Sequence, residues 1–219
     1  MTIALESMAV EIPEVAGHPN RAEFRGVLAT VDAASQRAPS GAKGHLVLLT
    51  RAAAEAALPS LLGMALDYAP SLDRHDVQRK IGVITRAEIV GRSIEVGGYL
   101  FARDFPDIVE EIGESGRHEN RGAFKSGQKR ASGVSSTGLM GRMFGFSGSA
   151  QRTSARWARG SKRIHANAYE GLGMSYEVTD VRVNDTTARI WILSRVTFTG
   201  AAVLRRDKAA YSNTWIELG

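Results

Sequence analysis

Apolar positions fall in short runs broken by polar and glycine-containing stretches, and their rhythm is more often that of strands than of helices. FRGVLATV (24–31) suits a strand, and SQRAPSGAKG then marks a loop through Pro39, Gly41 and Gly44. HLVLLT (45–50) is a short apolar run of the kind found in buried strands. RAAAEAALPSLLG has the alanine and leucine content of a helix that Pro59 ends or kinks, and MALDY follows as a short strand. IGVITRAEIV (81–90) and SIEVGGYLFA (93–102) flank the dipeptide GR and predict a hairpin. DFPDIVEEIG predicts a short helix with Asp104 as N-cap and carboxylates in its first turns.

Regular pattern returns at GMSYEVTDVRV (173–183) and ARIWILSRVTFTG (188–200), two strands across the polar turn VNDTT. LRRDKAAY then reads as a short helix and TWIEL as an edge strand. Strands dominate without regular βαβ alternation, so the expected fold is α+β: a small, mostly antiparallel β-barrel surrounded by a few helices. The expected organisation is an N-terminal tail (1–23), a domain in two parts (24–113 and 170–219), and an intervening insertion (114–169).

Charge sharpens the picture of that insertion. Between Ser115 and His165 there are 11 Lys/Arg and one acidic residue, Glu119, with nine glycines and nine serines. The rest of the chain carries 17 basic and 22 acidic side chains, so the formal charge of +5 describes neither part. The Gly/Ser-rich composition predicts a flexible segment with little core. Its cations, interleaved with Phe124, Phe144, Phe146 and Trp157, could grip nucleic acid or an acidic protein surface. A solvated loop is favoured over the nucleic-acid reading, and self-cleavage within the segment is a third alternative.

Cysteine is absent, which excludes disulfides, thiolate metal sites and cysteine nucleophiles. No apolar run approaches the roughly 20 residues needed to span a bilayer, and the first fifteen residues do not read as a signal peptide, so a soluble intracellular protein is expected. No Walker loop, dinucleotide fingerprint or His/Asp/Glu cluster with metal-ligand spacing occurs, and neither metal nor cofactor is expected.

Among the serines, Ser175 stands out because GLGMSYEV (171–178) places it in a patterned strand beside glycines that permit close backbone approach. A serine hydroxyl needs a positioned base to become a nucleophile. His75, in LDRHDVQRK between Asp73 and Asp76 and just before a strand, is the histidine best placed to be oriented by a carboxylate. On spacing alone, a strand serine and a loop histidine are more often structural than catalytic.

LDRHDVQRKIGVITRAEIVGRSIEVGGYLFA, LGMSYEV and VTFTGAAVLRRDKAAY, in that order, resemble the prohead (capsid maturation) serine proteases of tailed bacteriophages, distant relatives of herpesvirus assemblin. The resemblance covers about residues 24–112 and 170–219. It implies a serine endopeptidase with Ser175 as nucleophile and His75 as general base, working without a cofactor on a small β-barrel. Phage members of the family carry a glutamate in the strand after the serine, whereas the aligned phrase here, SRVTFTG, has Arg195. The third residue therefore stays open between Asp76 or Asp73, a Ser–His dyad, and an impaired enzyme. Arg205 and Arg206 are counterparts of the arginines that stabilise the oxyanion in the assemblin branch. The implied substrates and partners are the major capsid protein, its scaffold segments and the protease itself, inside proheads assembling in the host cytoplasm. A homo-oligomer is compatible with the resemblance. The alternative is a catalytically impaired protease-fold protein with a structural role in capsid assembly.

Overall fold

The computed structural model describes residues 2–4, 17–126 and 171–219. Among the described residues, nine strands, two α-helices and short 3₁₀ turns form an α+β fold around one curled, half-barrel sheet. The strands are β1 (Thr2–Ala4), β2 (Ala22–Thr30), β3 (Leu46–Leu49), β4 (Ala65–Tyr68), β5 (Lys80–Val90), β6 (Ser93–Leu100), β7 (Leu172–Val183), β8 (Ile190–Arg205) and β9 (Trp215–Leu218). Their order is β3-β8-β4-β5-β6-β2-β9, with β1 added to β5 and β7 to β8. Pairing is antiparallel except where β8 runs parallel to β3 and β4.

β5 and β6 form the expected hairpin, and Gly91, first of the two turn residues, has φ +58° while Arg92 does not enter the left-handed region, the pattern of a type II′ turn. Register shifts interrupt β2–β6, β4–β5, β5–β6 and β7–β8. Such bulges raise local twist and let the sheet curl. The curl brings β2 close to β7: a Cβ on Gly26 would lie 2.8 Å from Met174 Sδ and 2.4 Å from the Trp215 carbonyl oxygen. Leu28, Ile84, Ile94, Leu100, Met174 and Val203, all nearly inaccessible, belong to one hydrophobic core. Burying side chains of this size contributes roughly 1.5–3 kcal/mol each.

Helix α1 (Arg51–Ala57) is capped by Thr50, whose Oγ1 accepts from the Ala53 amide and donates to the Leu193 carbonyl. Its buried face is Ala53, Ala54 and Ala57, small enough for close packing, and Pro59 follows in a 3₁₀ turn over Leu58–Leu61. Helix α2 (Pro106–Ser126) buries Ile108 and Ile112, and its Ser115 Oγ accepts from the Leu172 amide at the head of β7. No helix among the described residues is long and apolar enough to cross a membrane.

Four expectations change. Thr2–Ala4, expected in an irregular tail, pairs with Arg86–Glu88 of β5. Helix α2 starts at Pro106, where a proline has no amide to lose, and Asp104 instead accepts a hydrogen bond from Asn20. The same helix continues through Ser126, so the first part of the expected flexible insertion is helical; the remainder of 114–169 lies outside the described residues. Finally, β8 does not stop at Gly200 but runs on through Ala201–Arg205, leaving one 3₁₀ turn (Arg206–Lys208) where a helix was expected.

Candidate active site

The extension of β8 creates the site. Ser175 on β7 is in register with Ala202 on β8, and Ala202 is in register with Asp67 on β4. Partners in register point to the same side of a sheet, so Asp67, Ala202 and Ser175 form one row across three strands. Two strand spacings separate the outer members by about 9.6 Å. Ala202 in the middle has only a methyl group. On the opposite side, the adjacent row Leu66–Ala201–Tyr176 faces the core.

The segment 69–79 connects β4 to β5. Leu72 within it has φ +53°, a left-handed conformation that branched apolar residues rarely adopt. Its side chain is buried and its carbonyl accepts from the Arg205 amide at 2.8 Å, which pins the loop to the end of β8. His75 is thereby set against the row. Its Nδ1 lies 3.4 Å from Asp67 Oδ2 and 3.8 Å from Glu177 Oε1.

The two carboxylates differ in environment. Asp67 is fully inaccessible, and its Oδ1 accepts from Lys80 Nζ, which stands opposite it across the β4–β5 pair. Glu177 is 46% exposed and lies on the same side of β7 as Ser175, two residues on. Its carboxylate crosses Gly200: a Cβ there would fall 2.8 Å from Glu177 Oε2, so a side chain at 200 would displace the carboxylate from this position. Gly200 and Ala202 together leave a shallow floor on β8 beneath the acidic and imidazole groups.

Asp67 Oδ2 and both His75 ring nitrogens are enclosed and make no hydrogen bond among the described residues. The serine and histidine are thus brought to one side of the sheet without a hydrogen bond between them. Catalytic hydrogen bonds are often long in unliganded sites and tighten with substrate.

The sequence-nearest carboxylates are occupied locally. Asp76 Oδ1 accepts from the Gln78 amide, and Asp73 is bonded by Ser71, which holds its carboxyl below the usual range. Arg205 forms a two-point pair with Asp207, and Arg206 donates to the carbonyls of Thr214 (2.9 Å) and Leu172 (3.4 Å), bracing the head of β7. Arg195 is exposed and in register with Arg182, on the far part of the β7–β8 pair.

A cleft of about 430 Å³ borders β7, lined by Leu28, Met174, Tyr176, Trp191 and Tyr211, with Ser175 and Glu177 also on its wall. Burial, then the neighbouring Tyr211, pushes the Tyr176 hydroxyl well above its ordinary pKa, so it stays protonated. Near the other end of the row, Tyr68 donates to Glu111 Oε2 at 3.3 Å. Burial, followed by the Glu111 charge, pushes Tyr68 up to about 12.

Asp67, Lys80 and Glu177 had not been singled out as site residues. A signal for Asp67 was present: a lone carboxylate inside the apolar strand ALDY has to find a partner. Comparison with protein-family models, with curated proteins and with solved structures found no match.

Proposed function

We propose that the chain is a serine endopeptidase of tailed-phage head assembly, with Ser175 as nucleophile, His75 as general base and Asp67 orienting the imidazole. The single observation that carries this reading is the row Asp67–Ala202–Ser175, with His75 placed against its acidic end. An imidazole is the group that fits between a buried carboxylate and a serine two strands away, and Ala202 leaves it the room.

In the proposed reaction, His75 holds its Nδ1 proton toward Asp67 and takes the Ser175 proton at Nε2. Ser175 Oγ attacks a peptide carbonyl, and the resulting oxyanion is met by backbone amides near β7. The imidazolium then gives its proton to the leaving amine, and water hydrolyses the acyl-enzyme. Arg205, paired with Asp207, and Arg206, bonded to the carbonyls of Thr214 and Leu172 at the head of β7, are the arginines to which the resemblance gives the oxyanion role. The substrates are scaffold segments of the capsid protein and the protease itself, within proheads in the host cytoplasm. The finer architecture belonging to this reading is a small barrel carrying a basic insertion.

Two observations favour a second reading, a protease-fold protein that has lost activity and serves capsid assembly structurally. The His75 ring makes no hydrogen bond among the described residues, and Arg195 occupies the position where many phage relatives carry an acid. Labelling with a fluorophosphonate separates the two. The expected result is one phosphonyl group on Ser175 in the purified wild-type chain and none in Ser175→Ala. Equal labelling of both proteins, or none of the wild type together with unchanged capsid trimming by Ser175→Ala in co-expression, defeats the protease reading.

A further inference from the structure

Asp67 has two oxygens and two cationic or proton-bearing neighbours, and the proposed reaction uses one of them. We propose that Lys80 is a positioning residue: it occupies Asp67 Oδ1, leaves Oδ2 to His75 Nδ1, and offsets part of the negative charge around the imidazole. This inference rests on the reading of Ser175 and His75 as nucleophile and base.

The geometry carries the first part. A fully enclosed carboxylate is tolerable only when its charge is met, and Lys80, in register with Asp67 on β5, meets it. With Oδ1 taken, Oδ2 is the oxygen left to His75, 3.4 Å from its Nδ1.

Charge balance carries the second part. Facing the imidazole are Asp67 from β4 and Glu177 from β7, both negative, and Lys80 from β5, positive. In its own loop, Asp73 is bonded by Ser71 and lies in the field of Arg74 and Lys208, while Asp76 is taken up by the Gln78 amide. At the end of β8, Arg205 is paired with Asp207. Without Lys80 two unopposed carboxylates would face one histidine and hold it as imidazolium, which cannot accept the serine proton. Lys80 reduces that excess to one negative charge.

The test compares wild type, Lys80→Met and Lys80→Arg by the pH dependence of fluorophosphonate labelling and by NMR titration of the His75 ring. In Lys80→Met the acid limb of labelling and the His75 midpoint both move up by about one pH unit. This is the low end of the range for a close charge, since Lys80 is 39% exposed. Lys80→Arg restores both. A slower Lys80→Met enzyme with an unmoved limb and midpoint overturns the inference and leaves the serine reading standing. Absence of labelling in wild type, together with unchanged capsid trimming by Ser175→Ala, defeats the serine reading, and the NMR midpoint still decides the role of Lys80. If Lys80→Met does not fold, Asp67→Asn and Asp67→Asn/Lys80→Met are compared, neither of which leaves a buried carboxylate unpaired. A higher midpoint in the double variant supports the inference, and equal midpoints overturn it.

Discussion

Two adjacent rows cross the same three strands. Leu66–Ala201–Tyr176 faces the core, and Asp67–Ala202–Ser175 faces the loop that carries His75. Both are closed to solvent at their centre, yet they are built by opposite rules. The core row closes by apolar packing, where size and shape decide the energy. The site row closes by a carboxylate, an ammonium and an imidazole over two small residues, and here the identity of each polar atom decides. One strand supplies both rows because successive side chains in a strand alternate in direction.

The largest test of this contrast is Asp67→Asn. It keeps the shape of the row and removes the charge that orients His75, so the rate of Ser175 labelling should fall by about 10³-fold or more. A change below tenfold would remove Asp67 from the catalytic unit and return the third position to Glu177 or to a dyad. Leu66→Ala is the counterpart in the core row. It should cost about 2–5 kcal/mol of stability, read from urea unfolding, because Leu66 is fully buried. The folded fraction should label Ser175 with an unmoved pH profile. A shifted profile would mean that the two rows are not independent.

The smallest effect concerns Tyr68, one residue beyond Asp67. Its pKa is raised to about 12 by burial and by Glu111, above the unfolded value of about 10. The folded state therefore binds this proton more tightly than the unfolded state does. The associated stability is fully present below pH 10 and is lost as pH rises toward 12. Tyr68→Phe should flatten the decline in melting temperature between those values, and an unchanged decline would assign it to other groups.

Strand positions were largely legible in the sequence because apolar runs and turn residues mark them directly. β2, β3, β4, β5, β6, β7 and β9 all fall where the pattern puts them, within the usual uncertainty at their ends. The end of β8 was not legible: TGAA reads as a break, since glycine normally weakens a strand. At Gly200 the missing side chain is instead the space that Glu177 occupies. Helix α2 was underestimated for a related reason, since serine and glycine content was read as loop.

The site was half legible. Of the proposed site, Ser175 and His75 are picked out by their strand and loop settings, while the buried carboxylate beside His75 is not. Proximity in sequence pointed to Asp73 and Asp76, yet carboxylates in a turn are commonly taken by nearby hydroxyls and amides, as both are here. Asp67 lies eight residues before His75 and reaches it only because the loop folds back over its own strand. That return depends on the left-handed Leu72 and on its bond to Arg205, neither of which has a readable sequence signature.

The parallel pairing of β4 with β8 sets a timetable for the chain. Leu66–Tyr68 meet Ala201–Val203, so the row cannot exist until the segment near the end of β8 has been made and has left the ribosome. Pairings between such distant segments also form slowly once the chain is free. A nascent chain therefore carries Asp67, His75 and Ser175 without a row that joins them, and synthesis itself acts as a delay before the three can meet.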